Sequence, residues 1–160
     1  MQLYIDGYRT QNDYLVKTLA EAAYYYGYKL LGGRMFNRII VDVKLRKDMY
    51  KKEKAYGYCS ISGDVHKPRE FEIEIDSSKD HLIQDMLIWL AHEFVHLKQF
   101  VKGELYDYED GSVKWKSKVY RDGKVSYEDA PWEKEAYRLE YKLYEEFWDR
   151  YVEGEKNGNR

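Results

Sequence analysis

Hydrophobic and polar residues alternate along the chain with two different periods. In residues 12–26, apolar side chains recur every three or four positions, which predicts an amphipathic helix that Asn12 or Asp13 caps and Gly27 ends. In residues 70–76 (EFEIEID), apolar and acidic residues alternate strictly, which predicts a strand with one solvated face, as in an antiparallel sheet. Two further segments rich in branched and aromatic residues predict strands, RIIVDVKL (38–45) and AYGYCSIS (55–62).

Helical periodicity dominates the second half of the chain. The pattern predicts a helix over residues 80–101 and a long C-terminal helix that begins at Pro131. Between them, residues 115–120 and 124–127 predict a hairpin whose turn contains Gly123. The order helix, strands, helix, hairpin, helix predicts an α+β fold, in which a small antiparallel or mixed sheet packs on the two later helices.

Length and charge limit the classes of protein to consider. The chain has 160 residues, enough for one domain with its own hydrophobic core. We predict a single domain over residues 1–153, followed by a disordered tail over residues 154–160 (GEKNGNR). The net charge of −2 and the isoelectric point of about 6.1 argue against a globally basic nucleic-acid-binding protein.

Cysteine content and hydropathy indicate a cytoplasmic protein without a membrane segment. The single cysteine, Cys59, excludes an internal disulfide framework and fits a reducing compartment. The apolar runs are far shorter than the roughly 20 residues that a membrane-spanning helix needs. The first ten residues, MQLYIDGYRT, lack the charged start and the apolar run of a signal peptide.

An H-E-x-x-H motif (HEFVH) lies within the helix predicted over residues 80–101. Its two histidines, His92 and His96, lie one turn apart on one helical face, where two imidazoles can bind one zinc ion. Glu93 follows the first histidine and can hold a water molecule beside the metal and accept its proton. The flanking residues are apolar, so these polar side chains need buried partners, which a metal supplies. The alternative is a pair of hydrogen-bonded core histidines beside a surface glutamate.

A catalytic zinc site needs a third protein ligand, with one position left for water. No histidine follows His96, and Gln99 and Lys102 stand where metzincins have Gly and His, so that class is excluded. A carboxylate remains, and the start of the C-terminal helix offers two candidates, Glu133 and Glu135. Helical periodicity does not choose between them, because both flank the apolar stripe of that helix at similar angles.

HEFVH and the segment PWEKEAY (131–137) resemble the glutamate-zincins, H-E-x-x-H metallopeptidases whose third zinc ligand is a Glu on a later helix. In that family a small residue often follows the ligand Glu by three positions. Glu133 has Ala136 at that place, whereas Glu135 has Arg138, so the resemblance selects Glu133. The short chain, with strands before the motif helix, also resembles the minimal SprT-like metallopeptidases of bacteria and phages.

The resemblance implies a zincin fold with Zn²⁺ as the cofactor. His92, His96 and Glu133 would be the metal ligands and Glu93 the general base, and the reaction would be hydrolysis of a peptide or protein substrate. Zincins commonly stabilise the oxyanion with a Tyr or His donor. Tyr127, shortly before Glu133, is the first candidate for that donor, with two rivals: Tyr137 and Tyr120.

Two charged segments raise the question of partners. Residues 34–54 carry eight basic residues against three acidic ones, which most simply form a solvated face. A nucleic-acid contact is the alternative, because SprT-like relatives act on DNA-associated proteins. Zincins bind extended substrates along an edge strand before the motif helix, and if residues 70–76 are that strand, their acidic side chains favour basic substrates. The competing functional hypothesis is a zinc-bearing binding or regulatory protein without turnover.

Overall fold

A four-stranded mixed sheet forms one layer of the computed structural model, which describes residues 1–158. Strands β1 (Gln2–Gly7), β2 (Ile40–Arg46) and β4 (Glu70–Asp76) run parallel, and β3 (Gly57–Ile61) pairs antiparallel with β4, giving the order β1-β2-β4-β3. The predicted α+β class is confirmed, with the mixed form of the sheet. The parallel strand β1 was not predicted, because its six residues (QLYIDG) are too few for a decisive period.

Within residues 1–158, α-helices are formed by α1 (Asp13–Leu31), α2 (Gly33–Phe36), α3 (Met49–Glu53), α4 (Ile83–Val101) and α5 (Pro131–Gly158). The prediction that Gly27 ends α1 was wrong. The helix continues to Leu31, and Gly32, with a φ of 71°, lies at its C-terminal end. A Cβ at Gly27 would lie 3.2 Å from the Phe36 ring, so glycine serves here for close packing rather than as a helix stop.

The segment between α4 and α5 forms a second, three-stranded sheet of β5 (Leu105–Asp107), β6 (Val113–Trp115) and β7 (Lys118–Tyr120). The predicted hairpin was therefore misplaced. Its turn follows Trp115, which pairs with Lys118 across the turn and with Leu105 on β5. Residues 124–127, predicted as its second strand, instead lead into a short 3-10 turn (Tyr127–Asp129), because Ser126 caps that turn by accepting a hydrogen bond from the Asp129 N–H.

The C-terminal helix extends beyond the predicted domain boundary. Residues 154–158, predicted as part of a disordered tail, are helical in α5, and residues 159–160 of that tail lie outside the described residues. The physical reason is cooperativity, since lengthening a formed helix adds one hydrogen bond for each residue that becomes fixed. None of the described helices is both long and apolar enough to cross a membrane.

Helix α4 is the central element of the fold. It packs against α1, against β3 and β4, and against α5, so almost its whole surface is buried. On the α1 side, the Phe94 ring meets the Tyr26 ring edge-on at 6.2 Å, and the Tyr26 hydroxyl donates a hydrogen bond to the Leu87 carbonyl. The side towards α5 carries the histidines of the motif, so this polar group is enclosed between two helices.

Candidate metal centre

Helix α4 brings His92 and His96 together on one face, as their four-residue spacing predicts. The two Nε2 atoms lie 3.1 Å apart, and both side chains are buried. Asp85 stabilises the start of α4, because its carboxylate accepts a hydrogen bond from the Leu82 N–H. The imidazoles therefore project from the middle of a well-anchored helix rather than from a frayed end.

Helix α5 supplies the carboxylate that completes the cluster. Glu133 is 5% exposed, and its Oε2 lies 3.2 Å from His92 Nε2 and 3.3 Å from His96 Nε2. Ala136, one turn further along α5, is fully buried, which is consistent with the close packing of α4 and α5. Of the two candidate third ligands, the structure brings Glu133 to the histidines.

The three donor atoms have the spacing that a tetrahedral metal site requires. Ligands that lie about 2.0–2.1 Å from a tetrahedral zinc ion are separated from each other by about 3.3 Å. The distances among His92 Nε2, His96 Nε2 and Glu133 Oε2 are 3.1, 3.2 and 3.3 Å. Two imidazole nitrogens and one carboxylate oxygen also form the donor set of many catalytic zinc sites, although other divalent metals accept it. The residues therefore fit a metal ion.

The outer nitrogens of both histidines have hydrogen-bond partners that the sequence analysis missed. Glu140 Oε2 lies 2.7 Å from His92 Nδ1, and Gln99 Oε1 lies 2.9 Å from His96 Nδ1. Because Nδ1 of each ring has a hydrogen-bond partner on the outer side, Nε2 of each ring faces Glu133. Spacing could have found both residues, because Glu140 lies two turns after Glu133 on one helix and Gln99 lies one turn after His96 on the other.

Glu135, the second candidate ligand, lies outside the cluster. Its Oε2 accepts hydrogen bonds from Lys98 Nζ at 2.9 Å and from Gln99 Nε2 at 3.0 Å. Two residues of helix separate Glu135 from Glu133 by roughly 200° of rotation, which explains why only one of them can face the histidines. Although burial acts to raise it, these two hydrogen bonds hold the pKa of Glu135 below its usual value.

Mutual hydrogen bonding within the cluster shifts the pKa values of its members. Burial acts to lower the pKa of His92, but the hydrogen bonds with Glu133 and Glu140 prevail and raise it to about 10. Burial acts to raise the pKa of Glu133, but its hydrogen bonds with His92 and His96 prevail and lower that pKa to about 2. The pKa of His96 is also raised. Without a metal, His92 is therefore protonated at neutral pH and forms an ion pair with the Glu133 carboxylate.

Glu93 lies beside the cluster, against strand β3. Its side chain is buried, and burial raises its pKa from 4.5 to about 7. Gly57 makes this position possible, because a Cβ there would lie 2.6 Å from Glu93 Oε1. The strand can approach the carboxylate this closely only where it has no side chain.

Two of the three candidate tyrosines reach the site. Tyr127, in the 3-10 turn before α5, is 60% exposed, yet burial of its hydroxyl and the nearby Glu133 and Tyr137 raise its pKa. Tyr137 meets the His92 ring edge-on at 4.8 Å. Tyr120 packs instead on Trp132, at 5.6 Å, and does not line the cleft described below.

The cluster opens into a cleft of about 700 Å³ between β3, α4 and α5. The motif residues form its floor, and the remaining lining is rich in aromatic rings. On one wall Tyr50 and Trp89 stack on the two faces of Tyr56, at 4.3 and 4.2 Å between ring centroids. The cleft is large enough for several residues of an extended chain.

The edge strand of the cleft is β3, which corrects the expectation for residues 70–76. Those residues form β4, which lies between β2 and β3 and has no free edge. Their apolar side chains are buried, and their glutamates do not line the cleft. The alternation was correctly interpreted as a one-sided strand, but pairing order depends on long-range contacts that a local pattern does not contain.

The basic residues of the segment 34–54 do not form an uninterrupted positive surface. Lys44 lies 2.8 Å from both Asp6 and Asp42, and Arg46 pairs with two glutamates. Lys51 pairs with Asp48. Acidic neighbours thus offset part of the local charge on which a nucleic-acid contact would depend.

Comparison with known proteins gives no assignment for this chain. No protein-family model matches it, and neither a curated protein nor a solved structure is detectably similar to it.

Proposed function

We propose that the protein is a zinc-dependent metallopeptidase in which His92, His96 and Glu133 hold Zn²⁺ and Glu93 is the general base. One observation carries the proposal. Two Nε2 atoms and a carboxylate oxygen converge at 3.1–3.3 Å, beside a buried carboxylate that has no role in holding the metal. A purely structural histidine pair does not require the second carboxylate, whereas hydrolysis does.

The chemistry divides between the metal and the protein. Bound zinc supplies Lewis acidity, which polarises a carbonyl and lowers the pKa of water towards about 7. Glu93 accepts the proton of the attacking water and donates it to the leaving amine. Burial raises the pKa of Glu93 in the metal-free protein, and a carboxylate with a raised pKa is a better proton acceptor than a solvated one.

The free edge of β3 supports a peptide as the substrate. The Asp76 N–H donates to the Tyr56 carbonyl and the Ser62 N–H to the Glu70 carbonyl, so even-numbered residues of this segment bond to β4. By the alternation of an antiparallel ladder, the N–H and C=O groups of Gly57, Cys59 and Ile61 point to the other side. No strand pairs with that side among the described residues, and an extended substrate can add there as a strand.

Tyr127 is the proposed oxyanion donor. Its side chain lines the cleft together with a proposed metal ligand, Glu133, and is largely exposed, so a small movement would turn the hydroxyl towards a substrate. Tyr137 is held against His92 and has less freedom to move. We also propose a reducing, cytoplasmic compartment, to which the single cysteine, Cys59, is suited.

The experiment is hydrolysis of a quenched-fluorescent peptide library by the zinc-loaded protein. We expect cleavage by the wild type, and a loss of about 10³-fold or more in kcat/KM for Glu93→Gln, which keeps the shape of the side chain but cannot accept a proton. Glu21→Gln, an exposed position on α1, is the matched control and keeps full activity. Zinc binding without any hydrolysis would instead favour a metal-bearing regulatory protein. Full activity of Glu93→Gln would refute the role of Glu93.

A further inference from the structure

The Gln99 amide lies between a proposed metal ligand and two acceptors. It is fully buried, and its Nε2 donates hydrogen bonds to the Trp132 carbonyl and to Glu135 Oε2, both at 3.0 Å. These two partners can only accept, so the amino group of Gln99 has to face them. Its carbonyl oxygen is then left for His96 Nδ1, 2.9 Å away.

The orientation of Gln99 decides which nitrogen of His96 can bind a metal. A carbonyl oxygen beside Nδ1 requires the proton on Nδ1, and the lone pair of a metal-bound imidazole then lies on Nε2. We propose that Gln99, with its amide oriented by Glu135 and the Trp132 carbonyl, fixes His96 as an Nε2 metal ligand. Gln99 and Glu135 are therefore positioning residues. This inference rests on the proposed metal site, but not on peptide hydrolysis.

Lys98 completes the arrangement behind Gln99. Its buried ammonium lies 2.9 Å from the same Glu135 oxygen and 2.6 Å from Glu104, which precedes β5. It thereby neutralises Glu135 and ties the end of α4 to α5. The chain of contacts from Lys98 through Glu135 and Gln99 ends at His96.

The two histidines are supported by different chemistry. The Glu140 carboxylate contacts His92 directly, whereas the neutral amide of Gln99 contacts His96. On the His96 side the carboxylate is that of Glu135, which contacts Gln99 rather than the histidine. The cluster already contains the carboxylates of Glu133 and Glu140, with Glu93 beside it. A neutral amide next to His96 supplies the acceptor without adding another negative charge to this buried group.

The test combines zinc affinity, measured by chelator competition, with NMR of the imidazole ring N–H groups in the zinc-loaded protein. We expect Gln99→Met to lower zinc affinity by about 10–100-fold. We also expect it to expose the His96 Nδ1–H to rapid solvent exchange, while the His92 Nδ1–H stays protected. Gln84→Met makes the same chemical change near the start of α4, outside the cleft, and should leave both readouts unchanged.

A second pair of variants separates positioning from packing. Gln99→Glu brings a carboxylate against Glu135 and should lower zinc affinity at least as much as Gln99→Met. Adding Glu135→Gln restores one donor and one acceptor between the two side chains, and should recover about tenfold of that loss. Recovery of zinc affinity in the double variant would support positioning through this contact, and a double variant that binds zinc no better than Gln99→Glu would assign the loss to packing.

The failure of this inference is distinguishable from the failure of the proposed function. Wild-type zinc affinity in Gln99→Met, or a His96 Nδ1–H that stays protected, would overturn the inference and leave the metallopeptidase proposal intact. Tight zinc binding that depends on Gln99, in a protein that cleaves no peptide, would support the inference and count against the proposed enzyme activity.

Discussion

Two buried carboxylates of this protein resemble each other in depth but differ in their partners. Asp76, at the end of β4, is 1% exposed, and Glu133, at the start of α5, is 5% exposed. Asp76 accepts hydrogen bonds from the Tyr50 N–H at 2.8 Å and from the N–H and hydroxyl of Ser78 at 3.0 and 2.5 Å. Glu133 instead faces the two imidazoles of the candidate metal centre.

The difference teaches how a metal site is recognised. The hydrogen-bond donors of Asp76 are main-chain and hydroxyl groups, which cannot bind a metal through the same atoms. One imidazole, that of His81, lies 3.5 Å from Asp76, but among the described residues no third metal-binding side chain joins this pair. The partners of Glu133 are nitrogens that can exchange a proton for a metal ion. Both Asp76 and Glu133 are buried, so burial alone does not identify a metal ligand. The chemical nature of the neighbouring groups is what marks Glu133 as the candidate.

Among the variants that distinguish the metal centre from the Asp76 region, we expect the largest change in zinc affinity when a histidine is replaced. We expect His96→Ala to lower zinc affinity by roughly 10³-fold or more, because one of three ligands is lost. The measurement is chelator competition, with His66→Ala, on an exposed loop, as the control. Zinc affinity within tenfold of the wild type in His96→Ala would contradict the assignment.

Asp76→Ala should show the opposite pattern. Its removal leaves the buried N–H and hydroxyl donors of Tyr50 and Ser78 without an acceptor, which we expect to lower the free energy of unfolding by about 3 kcal/mol. Zinc stoichiometry should stay unchanged. Urea denaturation of the zinc-free protein checks the first value, with the exposed Asp149→Ala as the control. Loss of zinc without loss of stability would remove the distinction between the two carboxylates.

The two regions should differ in their response to alkaline pH, because only the metal centre contains a group whose pKa is raised by its partners. In the zinc-free protein the pKa of His92 is raised to about 10, so its stabilising contribution is complete below about 6.5 and is lost as the pH rises towards 10. The pKa of Asp76 is lowered from 3.8, because its hydrogen bonds overcome the effect of burial, so its contribution is present above 3.8 and is lost in acid.

Zinc binding makes this pH dependence measurable. His92 must give up a proton to the solvent, so we expect zinc affinity to rise by up to about tenfold per pH unit between pH 6.5 and 9. Calorimetry in buffers of different ionisation enthalpy should report proton release on zinc binding at pH 7. Binding without proton release would show that the ion-paired cluster does not form in the zinc-free protein.

The smallest effect is expected at Tyr127. Tyr127→Phe removes the proposed oxyanion donor, and we expect kcat to fall about tenfold with less than a twofold change in KM. Zinc content should stay unchanged. Tyr120→Phe, which lies outside the cleft, is the control, and an equal fall in both variants would assign the effect to packing.

The local periodicity of the sequence was enough to predict the main helices and three of the four strands of the larger sheet. The spacing of HEFVH likewise predicts that His92 and His96 share a face. The parallel pairing of β1 and the interior place of β4 were not predictable, because strand order depends on contacts between distant segments. The turn between β6 and β7 was also misplaced, since Lys116 adopts a positive φ of 53° that its residue type does not suggest.

At the candidate site, residue types and spacing predicted that His92 and His96 share one face of a helix, but not which residues hydrogen-bond with them. Glu133 was chosen over Glu135 from a family resemblance, and the geometry explains the choice by the roughly 200° between them. Glu140 and Gln99 lie at helical spacings from Glu133 and His96, but other residues share such spacings, and only the folded structure shows which of them reaches a histidine. The relation of Gly57 to Glu93 depends on the packing of β3 on α4 and leaves no local signal.

The most direct test of the central claim is elemental analysis of zinc in the purified wild type beside two variants, Glu133→Ala and Glu135→Ala. We expect close to one zinc ion per chain in the wild type, most of it lost in Glu133→Ala after dialysis against a weak chelator, and most of it kept in Glu135→Ala. Zinc kept by Glu133→Ala and lost from Glu135→Ala, or a wild type that never retains zinc, would contradict the assignment of His92, His96 and Glu133 as a zinc centre.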